Sequence, residues 1–319
     1  MTNELPTPAK PLRIGTRGSP LALAQAHETR ARLMAAFQLP EGAFEIVVIK
    51  TSGDNRSLID ADVPLKALGG KGLFTKEIEE DMLSAKIDIA VHSMKDMPVA
   101  QPDGLVLDCY LPREDVRDAF VSVNHTSLAL LPAGAVVGTS SLRRRAQLMA
   151  RRPDLRVVEF RGNVQTRMKK LGDGVADATF LAMAGLRRLG MEAVVKTAIE
   201  VEDVLPAVAQ GAIGIERRIG DTRAASMLEA IHHRPTGQRL AAERAFLAGL
   251  DGSCQTPIAG LAVLDGGTLR LRGEILRPDG SEVLNDDRSA AVEDGAALGA
   301  AMARDLRAQA GENFFDWLT

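Results

Sequence analysis

Aromatic side chains are scarce in this chain, with nine Phe, one Tyr and one Trp among 319 residues. So few rings leave little platform for stacking nucleic-acid bases. A formal net charge of -3 also removes any general attraction to a phosphate backbone. Anion binding, if present, must be local. No stretch has the length and continuous apolarity of a membrane span. The opening Met1-Thr-Asn-Glu-Leu-Pro-Thr-Pro-Ala-Lys10 lacks the apolar core and cleavage pattern of an export signal. The expectation is a cytoplasmic protein that engages neither membrane nor nucleic acid. Cysteine is equally sparse: Cys109 and Cys254 are the only two, and a cytosolic setting disfavours a disulfide between them. No His or Cys cluster has metal-ligand spacing, so no metal is expected.

What the chain does have is apolar content of 45% and enough length for two or three cores. A short apolar run at 12–14 ends in Gly15-Thr16-Arg17-Gly18-Ser19-Pro20. Ser19 is placed to cap the helix that follows, with Pro20 in its first turn. Strands are expected at 44–50 and 87–93, with a helix over 76–84 between them. Strands alternating with helices predict a largely parallel sheet. The pattern then recurs. Ala135-Val-Val-Gly-Thr139-Ser-Ser141-Leu-Arg-Arg-Arg-Ala-Gln-Leu148 repeats residues 13–25, and Asp177-Ala-Thr-Phe-Leu-Ala-Met183 echoes Asp88-Ile-Ala-Val-His-Ser-Met94. Two similar α/β domains are implied rather than a repeat array. Beyond residue 215 come helices to about 250. Short strands follow at 258–264, 268–276 and 282–287, separated by Asp-Gly-Gly and Pro-Asp-Gly hairpin signals. With a closing helix near 294–309, this reads as a small α+β domain with a three-stranded antiparallel sheet.

Arginine placement carries the first chemical signal. Arg143, Arg144 and Arg145 open a predicted helix, at the end whose free N–H groups and dipole already favour anions. Cations there oppose the dipole, which an anion gathered at that point would offset; exposed side chains reaching into water are the bland alternative. Arg161-Gly-Asn-Val-Gln-Thr-Arg167 repeats the design, Arg17 holds the matching place in the first half, and Arg187 and Arg188 follow the strand at 178–183. Ligands of open α/β sheets bind beyond the carboxyl ends of strands, so a polycarboxylate or polyphosphate is the ligand these side chains suit. Leu68-Gly69-Gly70-Lys71-Gly72 is no Walker loop, because Gly rather than Ser or Thr follows the lysine. A glycine hinge or a surface loop fits it better.

Asp96, in His92-Ser-Met-Lys-Asp-Met-Pro98, closes the third predicted strand. It is placed either to steady a cation developing in a substrate or merely to cap a turn. His92 by itself reads as a packed strand residue. Cys254, in a Gly-flanked loop at a domain junction, is a candidate for covalent chemistry, whereas Cys109 sits in an apolar run as core filler.

These motifs together resemble the hydroxymethylbilane synthase, or porphobilinogen deaminase, family. The resemblance runs in order through Gly15-Thr-Arg-Gly-Ser-Pro, Gly69-Gly-Lys-Gly-Leu-Phe74, Ala90-Val-His-Ser-Met-Lys-Asp-Met-Pro98, Val137-Gly-Thr-Ser-Ser-Leu-Arg-Arg144, Arg161 to Arg167, Leu205-Pro-Ala-Val-Ala-Gln-Gly211 and Gly252-Ser-Cys-Gln-Thr-Pro257. It implies a dipyrromethane cofactor joined by a thioether to Cys254. It further implies that four porphobilinogen molecules are deaminated and coupled head to tail, then released by hydrolysis as linear hydroxymethylbilane for porphyrin and heme synthesis.

By the same resemblance Asp96 is the catalytic carboxylate, assisted by Lys95. Ser93, Lys95, Asp96, Thr139, Ser141, Arg143, Arg144, Arg161 and Gly162 face the cofactor, while Arg17, Arg161, Arg167, Arg188 and Gln210 face the substrate. Lys66, Gly69, Gly70 and Lys71 belong to a lid or hinge. The implied layout is two doubly wound lobes resembling two-lobed periplasmic binding proteins plus the cofactor-carrying domain: 1–110 with 211–229, then 111–210, then 230–319. A monomer is expected. The rival reading, a non-catalytic two-lobed anion binder, uses the same arginines but predicts no covalent group on Cys254.

Overall fold

The structure, a computed structural model, describes residues 4–54, 74–252, 256–311 and 314–316. Contacts divide these into two compact units: 4–54, 74–114 and 212–237 form the first, and the remainder form the second.

In the first unit β1 (Leu12–Arg17) leads into α1 (Pro20–Phe37), then β2 (Phe44–Ile49), α2 (Lys76–Leu83), β3 (Ile89–Ser93) and β4 (Leu105–Tyr110). Ser19 caps α1 by accepting the Ala22 N–H at 3.3 Å, and Pro20 occupies the first turn as expected. In the second unit come β5 (Asp118–Ser122), β6 (Val136–Gly138), α3 (Leu142–Arg151), β7 (Arg156–Val158), α4 (Val164–Gly172), β8 (Ala178–Ala182), α5 (Met183–Arg188) and β9 (Thr197–Ile199). The chain then returns to the first unit with β10 (Ile213–Arg218) and α6 (Thr222–Glu229). α7 (Arg234–Gly249), β11 (Ile258–Asp265), β12 (Thr268–Leu276), β13 (Val283–Ala291) and α8 (Gly295–Ala310) complete it.

The two five-stranded sheets share one topology. Their orders are β2-β1-β3-β10-β4 and β7-β6-β8-β5-β9. β1 pairs parallel with β2 and β3, and β6 with β7 and β8, whereas β10 and β5 run antiparallel to both neighbours. The largely parallel sheet expected from sequence therefore carries one reversed strand in each copy. The echo between Asp88 and Asp177 has a concrete basis. Each carboxylate accepts the backbone N–H of the strand beside it, Asp88 from Arg13 at 2.8 Å and Asp177 from Val136 at 2.7 Å.

Each sheet buries both faces, so its strands are apolar at successive positions rather than alternating. On β5, Phe120 packs with Val137, Phe180 and Leu148 on one face, while Ala119 and Val121 pack with Phe160 and Leu181 on the other. In the first unit Ile14, Val91 and Ile215 meet Ala26 and Leu33 of α1 and Met227 of α6, and Ile78 and Met82 of α2 cover Ala90 on the opposite face. The third sheet is antiparallel throughout, β11-β12-β13, and Met302, Ala303 and Leu306 of α8 are buried with it. Its β13 extends to Ala291, four residues beyond the predicted end.

Candidate functional site

The first unit brings three predicted site residues to one recess. β1 ends at Arg17 and β3 at Ser93, and a single 3-10 turn, Met94–Asp96, follows β3. These carboxyl ends deliver Arg17, Ser93 and Asp96 to a recess also lined by Gln25, Phe74 and His92. The Arg17 guanidinium lies 4.1 Å from the Phe74 ring centroid, so a cation sits over an aromatic face. Gln25 on α1 donates from Nε2 to Ser93 Oγ at 2.8 Å and fixes that hydroxyl. Asp96 and Lys95 are half-buried, a setting that leaves a carboxylate reachable by a ligand.

Behind the recess lies a fully buried acid. Glu216 on β10 is 0% exposed, and its Oε2 stands 3.1 Å from His92 Nε2. Its Oε1 has no partner among the described residues. Burial and the nearby Glu216 charge push the Glu79 carboxyl of α2 above its ordinary range.

In the second unit the helix α3 begins with Ser141, whose hydroxyl accepts the Arg144 N–H. The anion that Arg143 and Arg144 gather is the protein's own. Asp118, first residue of β5 and 0% exposed, accepts from Arg143 Nη2 at 2.7 Å and from Arg144 Nη2 at 2.7 Å. Arg143 also donates to Gln147 and to the Leu205 carbonyl, and Arg144 to the Phe180 carbonyl. Gln210 completes the node by donating to Asp118 at 2.9 Å. Burial alone would raise the Asp118 carboxyl, but the charges and hydrogen bonds of the two arginines overcome it and hold it far below the usual carboxylate range. Both guanidinium groups are thus buried and paired with Asp118, while Arg145 is exposed.

The Arg161 segment is built differently. Gly162 has φ 118°, a left-handed conformation for which glycine is suited, and a Cβ there would lie 2.6 Å from Thr166. Arg161 is buried, and Arg167 on the first turn of α4 donates to the Gly162 carbonyl at 2.9 Å. Asn163 caps α4 by accepting the Thr166 N–H. Arg188 ends the short helix α5 rather than a strand, and donates to the Gly211 carbonyl. Thr139 is buried, and its hydroxyl accepts the Ser141 N–H at 3.2 Å.

Cys254 and the lid or hinge residues Lys66, Gly69, Gly70 and Lys71 lie outside the described residues. Cys109 is buried, and burial pushes its thiol up to about 12, which suits filler rather than nucleophile. Among the described residues no group of acids, His and Cys is placed to hold a metal, and no helix is long and apolar enough to cross a membrane. Sequence reasoning missed Gln25, Phe74, Glu216 and Asp118. Gln25 stands within the repeated Gly-Thr segment and Phe74 ends the Gly69–Phe74 motif, both usable signals; Glu216 and Asp118 are brought in from distant sequence.

The residues fit a pyrrole chain bearing carboxylates. The recess of the first unit offers an acid, a hydroxyl and a cation set over an aromatic ring.

Residues 12–226 match the family described as "Porphobilinogen deaminase, dipyromethane cofactor binding domain", and residues 238–308 match its C-terminal domain. The chain is 68% identical over 314 residues to a porphobilinogen deaminase of Paracoccus denitrificans, covering 98% of this chain and 99% of that protein. It is 53% identical over 311 residues to the chloroplastic porphobilinogen deaminase of Pisum sativum, covering 96% and 83%. Among solved structures, a periplasmic VFT2 domain of Bordetella pertussis BvgS is similar over 73% of this chain and 92% of that one, at 15% identity and a TM-score of 0.42.

Proposed function

Because the chain belongs to the porphobilinogen deaminase family, we propose that it is a transferase that deaminates porphobilinogen and couples four units head to tail, releasing the linear hydroxymethylbilane. The observation that carries this reading is the recess joining Asp96, Ser93 and Arg17. A dipyrromethane held on Cys254 supplies the nucleophilic pyrrole carbon on which the chain grows.

The protein's part is binding, orientation and charge. Asp96 accepts pyrrole N–H hydrogen bonds, and its negative charge steadies the cation that forms when the substrate's amine departs. Arg17 pairs with a substrate carboxylate, and its stacking on Phe74 keeps the guanidinium fork oriented before the ligand arrives. Ser93, held by Gln25, presents its hydroxyl to the ligand in a fixed orientation. Arg161, Arg167, Arg188, Lys95, Thr139, Ser141 and Gly162 serve the acetate and propionate groups of the growing chain. Arg143 and Arg144 do so through the shape that Asp118 gives them, and Gln210 by bracing that node. Lys66, Gly69, Gly70 and Lys71 act as lid or hinge.

We divide the chain into 1–110 with 211–229, 111–210, and 230–319, and read it as a cytoplasmic monomer. An intact-mass measurement tests the reading. The purified chain should exceed its amino-acid mass by two linked pyrroles, an excess lost in Cys254→Ser, and should consume porphobilinogen. A bare-mass protein that leaves porphobilinogen untouched overturns it.

A further inference from the structure

Porphobilinogen coupling has a proton to place. The substrate's C–N bond breaks as ammonia leaves, a C–C bond forms at the accepting pyrrole, and that ring then sheds its C–H proton to regain aromaticity. One proton and one ammonia are released per coupling, and together they make ammonium with nothing oxidised or reduced. A group in the recess must hold that proton in between.

We infer that His92, buttressed by Glu216, is the base that receives this proton and then gives it up to the ammonia already released. The inference rests on the family reading above and extends it to a residue that sequence alone gives as packing. His92 lines the recess with Asp96, yet its side chain is 5% exposed and its Nε2 faces the fully buried Glu216 at 3.1 Å. No described residue hydrogen-bonds its other nitrogen, Nδ1. A carboxylate behind an imidazole fixes ring orientation and stabilises the imidazolium formed on protonation.

The backbone is arranged to put Glu216 there. His92 lies opposite Gly214 and Glu216 opposite Ala90, so the two side chains are diagonal neighbours on adjacent strands. On the other side of β10 the register with β4 slips between Ile215 and Glu216, a bulge of the kind that re-aims a side chain. The charged and titratable groups around the imidazole are Glu216 on β10, Glu79 on α2, Arg17 on β1, and Lys95 and Asp96 on its own turn. Burial and the Glu216 charge raise the Glu79 carboxyl, and Glu216 is the carboxylate that faces His92 directly.

The test uses the cofactor-loaded full-length chain. His92→Gln should retain the pyrrole adduct by mass and an unchanged KM while kcat falls about 100-fold or more. Glu216→Gln should move the acid limb of the kcat profile to lower pH, since a neutral amide no longer favours the imidazolium. A packing role would lower stability and leave the limb in place. Should either variant fail to fold, the wild-type chain still decides: the 15N signal of His92, one of five histidines, must titrate over the pH range of the acid limb. A His92 signal that stays flat there, or a folded His92→Gln with normal kcat, overturns the inference. A wild-type chain inert toward porphobilinogen instead sinks the family reading.

Discussion

At the scale of single residues, charge and burial separate the chemical side chains from the structural ones. Asp96 is half-buried at a strand end and open to ligand, so Asp96→Asn keeps shape and removes charge. The variant should fold and load normally yet lose roughly 100-fold or more in porphobilinogen consumption, the order seen when one preorganised charge-stabilising group is removed. Cys109 is the opposite case. With its thiol raised to about 12 by burial, it should resist maleimide at pH 7.5 in the native chain and label fully after unfolding, as peptide mass mapping would record. The motif around Asp96 was legible because strand-end loops concentrate function. His92 and Glu216, 124 positions apart, were not, because nothing local in sequence announces a partner brought in by a reversed strand.

Among elements, the start of α3 shows how a correct physical premise can lead to an incomplete site. Three arginines at a helix N-terminus do call for an anion, and the anion is Asp118, contributed by β5 from a preceding segment. Asp118→Asn leaves two buried guanidinium groups facing a neutral amide. The expected loss is about 3–5 kcal/mol, read as a lowered denaturation midpoint, together with reduced cofactor loading because Arg143 and Arg144 lose their alignment. Arg161→Gln should lower the fraction of chains that carry the adduct, measurable by intact mass. The helix caps Ser19, Ser141 and Asn163 could be anticipated from residue type alone. The reversed strands could not, since an apolar run buried on both faces carries no mark of its direction.

For the whole molecule, depressed carboxyls set the acid limit. Asp118 has a folded pKa far below its unfolded value near 4, and Asp88 and Asp115, each bonded to arginine, are also lowered. A carboxyl whose folded pKa is depressed stabilises the native state above the unfolded pKa and loses that contribution as pH falls through and below it. Unfolding free energy from urea titrations should therefore stay nearly level from pH 8 to 6 and drop steeply below about pH 4. In Asp118→Asn that drop should be visibly shallower.

The reversed strand β10 also has a consequence in time. It lies between β3 and β4 although more than a hundred residues separate Tyr110 from Ile213. During synthesis, β1 to β4 leave the ribosome long before the strand that joins them exists, and at 5–20 residues per second the wait is on the order of ten seconds. Throughout that interval the inner edges of β3 and β4 remain open to any passing strand. The sheet of the first unit cannot close until Arg218 has emerged.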